Sequence, residues 1–251
     1  MAFDSHAHLD DERFGPDIEE IVQQMKRQDI AALVPGVDVA GVSNVLKLVE
    51  PWDHLVMAVG IHPSEIDQAE RLTELEAYLD HPKVVAIGEI GLDYYWVKDN
   101  KDSQQELFRK QLQLAKTHQL PVIIHDREAH EDIFRILKQE DMFPTGVIMH
   151  AFSGSAEMAR EYVKLGAMIS LAGPVTFKNA RVPKEVAAEV PLDHLLVETD
   201  SPYLTPHPLR GKRNDPRLLH LIIEEIAQIK GLSPETVEQA TTDNAKRIFQ
   251  L

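Results

Sequence analysis

Six residues of the kinds that bind metal ions lie at or just past the ends of short apolar runs in this sequence. They are His6, His8, Glu89, His125, His150 and Asp200. The runs are rich in Val and Ile, as is typical of strands buried on both faces of a sheet. In a parallel barrel the carboxyl ends of all strands lie on one rim, so ligands that follow separate strands come together there. The pattern therefore predicts a metal site, and four imidazoles with two carboxylates suffice for two ions.

Each of these residues also has a purely structural interpretation. His6 and His8 are two residues apart, so on an extended strand both rings point to the same side and can bind one ion, but surface or capping histidines would look the same. Glu89 lies in a buried run, where a carboxylate is costly unless it is ion-paired or bound to a metal. His125 and His150 can be satisfied core histidines, and Asp200 can be a loop or cap residue. Their shared position after strands favours the metal.

The elements that must position these residues alternate between strand and helix. The predicted strands are 2–6, 31–37, 55–61, 84–89, 121–125, 146–150, 167–171 and 195–200, and the predicted helices are 18–28, 71–79, 103–118, 129–139, 156–165, 217–230 and 234–249. Ser103 and Glu106 have the spacing of a capping box, and Ser233 with Pro234 suits the start of the last helix. This alternation predicts an α/β fold, a (β/α)8 TIM-type barrel with an extra C-terminal helix. An open doubly wound sheet is the alternative, although six strand ends would not all reach its switch point.

Length and composition are consistent with one hydrolase barrel domain over residues 1–251. The chain has 251 residues, 43% of them apolar, and no run approaches the roughly 20 apolar residues of a membrane span. It has no cysteine, which excludes disulfides and thiolate ligands, and residues 1–6 carry no basic leader. We therefore expect a cytoplasmic protein. The formal net charge of -15 argues against a sequence-reading DNA-binding protein, while bound cations would offset the clustered acidic ligands.

A second group of residues is suited to holding a substrate. It comprises His62 after the third strand, Arg127 after His125, and the basic segment with Arg210, Lys212 and Arg213 after the last strand. Cations that overhang the rim can hold phosphates, although a solvated loop is an equally simple interpretation of the basic segment. The aromatic cluster Tyr94–Trp96 can stack a nucleobase or simply pack within its loop.

Together these motifs resemble the TatD family of metal-dependent deoxyribonucleases, which belongs to the amidohydrolase-like barrels. The resemblance runs nearly end to end and rests on segments 4–10, 60–63, 88–93, 125–127, 150–154, 198–204 and 210–214. Ala7 and Ala151 depart from many relatives, but neither is a ligand position. The resemblance implies one ion held by His6, His8 and Asp200 and another held by His125 and His150. It also implies that Glu89 is shared between the ions and that His62 and the basic loop hold the substrate phosphate.

The activity implied is metal-dependent cleavage of phosphodiester bonds in DNA, as an exonuclease on single-stranded ends, by attack of a metal-activated hydroxide. Asp200, Glu89 and His62 are the expected catalytic residues, and the expected partner is short or single-stranded DNA, without a membrane or an obligate protein partner. Mixed imidazole and carboxylate ligands suit Zn, Mn, Co or Ni, and Mg can exchange at the carboxylate-rich position. The alternatives are hydrolysis of carboxylic esters or amides such as aminoacyl-tRNA, and a non-catalytic metal-binding barrel.

Overall fold

One parallel sheet of eight strands organises the chain. The computed structural model describes residues 1–96 and 99–251. Its strands pair in chain order, from first to eighth. They are β1 (Ala2–Asp4), β2 (Ile30–Gly36), β3 (Leu55–Val59), β4 (Val84–Asp93), β5 (Val122–Arg127), β6 (Val147–Met149), β7 (Met168–Leu171) and β8 (Leu195–Val197).

Helices follow the strands. The α-helices are α1 (Ile18–Arg27), α2 (Val42–Val49), α3 (Lys101–His118), α4 (His130–Gln139), α5 (Ala156–Lys164), α6 (Arg181–Glu189), α7 (Leu219–Lys230) and α8 (Pro234–Phe249). The 3-10 segments are Glu12–Phe14, Pro63–Tyr78, Phe143–Thr145, Gly173–Thr176, Leu192–His194 and Pro216–Leu218. This is the (β/α)8 TIM-type barrel fold that the sequence predicts. A doubly wound sheet would reverse its strand order at a switch point, and the order here runs without reversal. No helix within the described residues is long and apolar enough to cross a membrane.

The described residues form two compact units. The first unit contains Met1–Val34, Ala151–Lys164 and Met168–Leu251, and the second contains Pro35–His150 and Leu165–Ala167. The first unit therefore holds β1, β7, β8 and most of β2, while the second holds β3 to β6. That residues 1–251 form a single domain stays a prediction.

In the first unit, the extra helix α8 packs against β1 and β8. The rings of Phe3 and Phe249 lie 5.8 Å apart, and Asn244 Nδ2 donates to Leu195 O at 2.8 Å. Ser233 caps α8 by accepting from the Thr236 backbone N, and Pro234 takes the first helical position, as predicted. Because these contacts hold the starts of β1 and β8, they leave the carboxyl ends of both strands available to carry functional residues.

In the second unit, helix α3 buries an apolar stripe that includes Phe108, Leu112 and Ala115. Its predicted start was wrong, because α3 begins at Lys101 and Ser103 therefore lies inside it. The first turn forms earlier because the Gln104 backbone N donates to Asn100 O at 3.0 Å and its side-chain Nε2 donates to Asn100 Oδ1 at 2.9 Å.

Several predicted boundaries also shift. Strand β4 continues to Asp93 instead of ending at Glu89, and its register with β5 shifts between Ile87 and Ile90. Strands β1 and β8 are shorter than predicted and end at Asp4 and Val197. Glu89 therefore lies at an irregularity within a strand, not after it. Helices α2 and α6 were not predicted, and the predicted α-helix over 71–79 belongs to the 3-10 segment Pro63–Tyr78.

Candidate metal centre

Three of the predicted ligands lie together in the first unit. His6 Nε2 is 3.1 Å from His8 Nε2, and Asp200 Oδ1 is 4.0 Å from the first nitrogen and 3.5 Å from the second. Two ligand atoms that each lie about 2.1 Å from one ion are roughly 3.0–3.4 Å apart. The observed spacing is close to this range, so the three side chains fit one divalent ion with small adjustments.

Backbone hydrogen bonds bring the two segments of this cluster together. The Asp200 N donates to His6 O at 2.9 Å, and the His8 N donates to Ser201 O at 2.8 Å. Asp200 has a φ of 53°, a left-handed conformation that costs free energy for a non-glycine residue and is common at functional sites. The predicted strand 2–6 includes His6, but β1 ends at Asp4, so the positions of His6 and His8 depend on these bonds.

A buried polar network beneath the cluster holds both segments. Asp4 accepts hydrogen bonds from His6 N at 3.2 Å and from Thr199 N at 2.9 Å. Its other carboxylate oxygen accepts from Thr199 Oγ1 at 2.5 Å. Burial raises the pKa of Asp4 to about 8, although the bonds from Thr199 and His6 favour its charged form. Asn214 Nδ2 donates to Thr199 O at 2.8 Å and so fixes the segment that carries Asp200.

The second unit holds the remaining predicted ligands around Glu89. Glu89 Oε1 is 2.7 Å from His125 Nδ1, 3.5 Å from His150 Nε2 and 3.7 Å from His62 Nε2. The Glu89 and His150 side chains are buried. The Glu89 carboxylate and the imidazoles of His125 and His150 are the histidine and carboxylate donors found in known zinc sites, so a divalent ion can bind among them.

His125 lies between two carboxylates. Its Nδ1 faces Glu89, and its Nε2 is 3.1 Å from Asp93 Oδ2. Burial alone would lower the pKa of His125, but the hydrogen bonds to Asp93 and Glu89 outweigh it and raise the pKa to about 9. A ligand histidine commonly donates its other ring N–H to a carboxylate, which fixes the ring and its tautomer. Asp93 occupies that position here and leaves Nδ1 directed at Glu89.

His62 is oriented differently from the other histidines. The Ser64 backbone N donates to His62 Nδ1 at 3.1 Å, so in the neutral ring the proton lies on Nε2. His62 Nε2 lies 3.7 Å from Glu89 Oε1. This tautomer can donate a hydrogen bond to a bound substrate and is unsuited to binding a metal through Nε2, in keeping with the predicted substrate contact.

Two buried glutamines of α3 fix the strand ends that carry this cluster. Gln104 accepts from Asp93 N at 2.8 Å and donates to Asp93 O at 3.0 Å. Gln111, two turns later, accepts from Ile61 N at 2.7 Å and donates to Ile61 O at 3.0 Å. Each side chain thus satisfies both backbone groups of one residue next to the cluster, which sets the positions of His62 and Asp93.

The predicted substrate residues have different partners. The Arg127 guanidinium lies over the Tyr95 ring at 4.9 Å in the second unit. In the first unit the Arg210 guanidinium lies over the Phe177 ring at 4.1 Å, beside a cavity of about 400 Å³. Lys212 is exposed.

The remaining member of the basic segment has a structural partner. Arg213 makes a two-pronged ion pair with Asp17, at 2.8 and 2.6 Å. Arg213 thus helps to hold its loop, and its predicted contact with a substrate phosphate stays a prediction.

The six predicted ligands thus gather in two clusters, one in each unit, with His62 beside the second. Three further acidic residues were given no role from the sequence, although they lie in segments 4–10, 88–93 and 198–204 of the family resemblance. They are Asp4, Asp93 and Glu198. Glu198 is buried and accepts from the Ala151 backbone N at 2.7 Å. They could have been found because each is an acidic residue in or next to a strongly apolar run, where burying a carboxylate costs free energy unless it has a partner.

A (β/α)8 fold with histidine and carboxylate clusters beyond its strands is typical of metal-dependent hydrolases, and the comparisons with known proteins agree. The model of the family described as TatD related DNase matches residues 3–250. The metal-dependent hydrolase YabD of Bacillus subtilis is 47% identical over 254 residues, covering 100% of both chains. YcfH of Escherichia coli, also a metal-dependent hydrolase by name, is 37% identical over 99% of this chain and 95% of its own. The chain belongs to the TatD family of metal-dependent hydrolases.

Solved structures agree with this assignment. The TatD homologue YjjV of Escherichia coli superposes with a TM-score of 0.91 at 32% identity, over 100% of this chain and 98% of that chain. A TatD family hydrolase from Entamoeba histolytica superposes with a TM-score of 0.85, and at 22% identity that likeness shows the fold alone. The family resemblance and the barrel fold predicted from the sequence are confirmed.

Proposed function

We propose that this hydrolase cleaves phosphodiester bonds of DNA and acts as an exonuclease on single-stranded ends. The observation that carries the hydrolytic part is the presence of two histidine and carboxylate clusters with ligand-like spacing. The description of the matching family as TatD related DNase supports DNA as the substrate. A cytoplasmic location is part of the same proposal.

The two clusters would serve one binuclear centre. His6, His8 and Asp200 would hold the first ion, His125 and His150 the second, and Glu89 would be shared between them. The parallel sheet supports this arrangement, because all its strands present their carboxyl ends at the same edge. The donor set suits Zn, Mn, Co or Ni, with Mg as an exchangeable ion at the carboxylate-rich position.

Divalent ions held by these residues would lower the pKa of a water molecule from about 15.7 to about 7 and stabilise the charge of the phosphate. Asp200 accepts the proton of the attacking water on a carboxylate oxygen and returns it to the leaving oxygen. Glu89 would help to hold both ions through its carboxylate oxygens. His62, with its proton held on Nε2 by Ser64, donates to a phosphate oxygen and stabilises the added negative charge.

Substrate selection follows from the charge of the whole chain and from a few basic side chains. A net charge of -15 weakens binding to long duplex DNA, whose phosphates need many cations. Arg127, Arg210 and Lys212 can each contact a phosphate, which is enough for a short single-stranded end. Arg213 contributes indirectly, because its ion pair with Asp17 holds the loop in which Lys212 lies.

The test is a hydrolysis assay with the metal-free protein and with protein loaded with each candidate ion. The substrates are a single-stranded oligonucleotide, the matching duplex, a closed circular single strand and an aminoacyl-tRNA ester. We expect cleavage of the open single strand to be fastest, to produce mononucleotides and to stop on addition of chelator. The circle should resist cleavage because it has no end.

Preferential cleavage of the aminoacyl ester would support the alternative hydrolase instead. Metal binding without turnover of any substrate would support the non-catalytic barrel. Rapid cutting of the circle would contradict the exonuclease assignment while leaving the metal-dependent nuclease in place.

A further inference from the structure

Large aromatic side chains are exposed next to the second cluster. Trp96 is 74% exposed and Tyr95 is 39% exposed, directly after β4, which carries Glu89. The two rings meet edge to face, with their centroids 4.7 Å apart. An exposed indole costs solvation free energy, and in an acidic hydrolase its position beside metal ligands points to a ligand that covers it.

A cation lies against one of these two rings. The Arg127 guanidinium is 4.9 Å from the Tyr95 ring centre, and in the register of strands β4 and β5 the Arg127 backbone lies opposite that of Asp93. An aromatic face with an adjacent guanidinium matches a nucleotide, whose base stacks on the ring and whose phosphate pairs with the cation.

The aromatic pair is also fixed relative to the metal ligands. Asp93 Oδ1 accepts hydrogen bonds from the backbone N of Tyr95 at 3.0 Å and of Trp96 at 2.8 Å. Its other oxygen, Oδ2, contacts His125 at 3.1 Å. One buried carboxylate therefore connects the aromatic pair to a predicted metal ligand, so a base stacked there would lie at a set distance from the reacting phosphate.

We propose that Tyr95, Trp96 and Arg127 form a stacking platform for the terminal nucleobase of a single-stranded DNA end. The base covers the exposed indole, and Arg127 contacts a neighbouring phosphate. The proposal rests on the DNase function above and specifies how that enzyme recognises an end without reading its sequence, since every base has an aromatic face.

The test compares two oligonucleotides of the same length, one complete and one with abasic terminal nucleotides. For the complete oligonucleotide we expect Trp96→Ala to raise KM about tenfold, within the range associated with loss of one stacked base, and Trp96→Phe to restore most of it. For the abasic oligonucleotide wild type should already show the raised KM, and Trp96→Ala should add nothing further. Leu232→Ala removes another exposed apolar side chain, 41% exposed, and serves as the matched control.

A binding measurement separates this proposal from the nuclease function. The chain has two tryptophans, so Trp52→Phe leaves Trp96 as the only indole. We expect a cleavage-resistant phosphorothioate oligonucleotide to quench its fluorescence and the abasic version to quench it far less. If the complete phosphorothioate strand quenches the fluorescence but the unmodified oligonucleotide is not cleaved in the hydrolysis assay, the DNase function is overturned and the platform is kept. Equal quenching by both strands, or equal KM changes on both substrates in Trp96→Ala, would overturn the platform.

Discussion

The two oxygens of the Asp93 carboxylate contact different groups: a predicted metal ligand, His125, and the backbone of the loop with Tyr95 and Trp96. Oδ2 contacts His125 Nε2, and Oδ1 accepts from the backbone of Tyr95 and Trp96. At the scale of single residues, the ligands alone do not define the centre. Carboxylates and amides next to the predicted ligands determine which imidazole nitrogen would face an ion. Loss of such a partner typically lowers metal affinity 10- to 100-fold.

We predict that Asp93→Asn weakens zinc binding by about 10- to 100-fold and changes the number of protons released when zinc binds. In the metal-free protein the pKa of His125 is raised to about 9, so the ring is protonated at pH 7 and must lose its proton when it binds zinc. Zinc affinity should therefore increase as the pH rises from 7 to 9. Because Asp93 is the main interaction that raises this pKa, Asp93→Asn should release fewer protons at pH 7.

Calorimetric zinc titrations in buffers of different ionisation enthalpy measure both quantities. Asp80→Asn, which changes an exposed aspartate of the same unit, is the control. If Asp93→Asn binds zinc with the affinity and proton release of wild type, then Asp93 does not control His125.

At the scale of elements, the sequence predicted all eight strands and most helices but not their ends. Buried Val and Ile runs identify strands reliably, because parallel strands must be apolar on both faces. The ends depend on tertiary hydrogen bonds that leave no local pattern: β4 continues to Asp93 partly because Gln104 pairs with its backbone. Helix α6 was missed because Pro183 is unfavourable inside a helix, yet here it lies in the first turn, where the missing N–H has no helical partner to lose.

The same contrast holds for the residues of the site: local sequence patterns identify some of them, and only the fold identifies the others. The six predicted ligands could be chosen from the sequence because each follows an apolar run, whereas the contacts of Gln104 and Gln111 could not be foreseen. On α3 both glutamines look like ordinary polar positions, and only the fold places them against Asp93 and Ile61. The roles of the basic segment were also beyond the sequence, because Asp17, the partner of Arg213, lies far away along the chain.

The loop between β8 and α7 gives a prediction at this scale. Lys212→Ala should raise KM for a single-stranded oligonucleotide several-fold and reduce the salt slope by about 0.7, as expected for one lost phosphate contact, with Tm unchanged. Arg213→Ala should lower the free energy of unfolding by up to about 1 kcal/mol, because it removes a partly exposed ion pair with Asp17. Thermal unfolding and oligonucleotide kinetics at several salt concentrations measure both effects.

Lys212→Gln, which keeps a polar side chain of similar length, is the control for loss of bulk. If KM and the salt slope are unchanged in Lys212→Ala, the loop does not bind substrate phosphate. If both Lys212→Ala and Arg213→Ala lower Tm equally, the loop is purely structural.

At the scale of the whole molecule, the parallel sheet carries predicted ligands from widely separated segments of the chain. One cluster uses residues near both ends of the chain, His6, His8 and Asp200, and the other uses residues from its middle. Neither cluster alone has the ligands for two ions. We propose that the two clusters act together and that Glu89 is common to both ions. The number of ions bound per chain tests this proposal directly.

The most direct measurement is the number of bound ions per chain in wild type and in Glu89→Gln, determined by elemental analysis after equilibrium dialysis against zinc. Circular dichroism monitors the fold of both proteins, and Glu70→Gln, which changes a carboxylate outside the clusters, is the control. If Glu89 is shared by both ions, we expect two ions in wild type, close to one in Glu89→Gln, and nearly complete loss of hydrolysis in this variant with the fold retained. Two ions and near-normal hydrolysis in Glu89→Gln would contradict it.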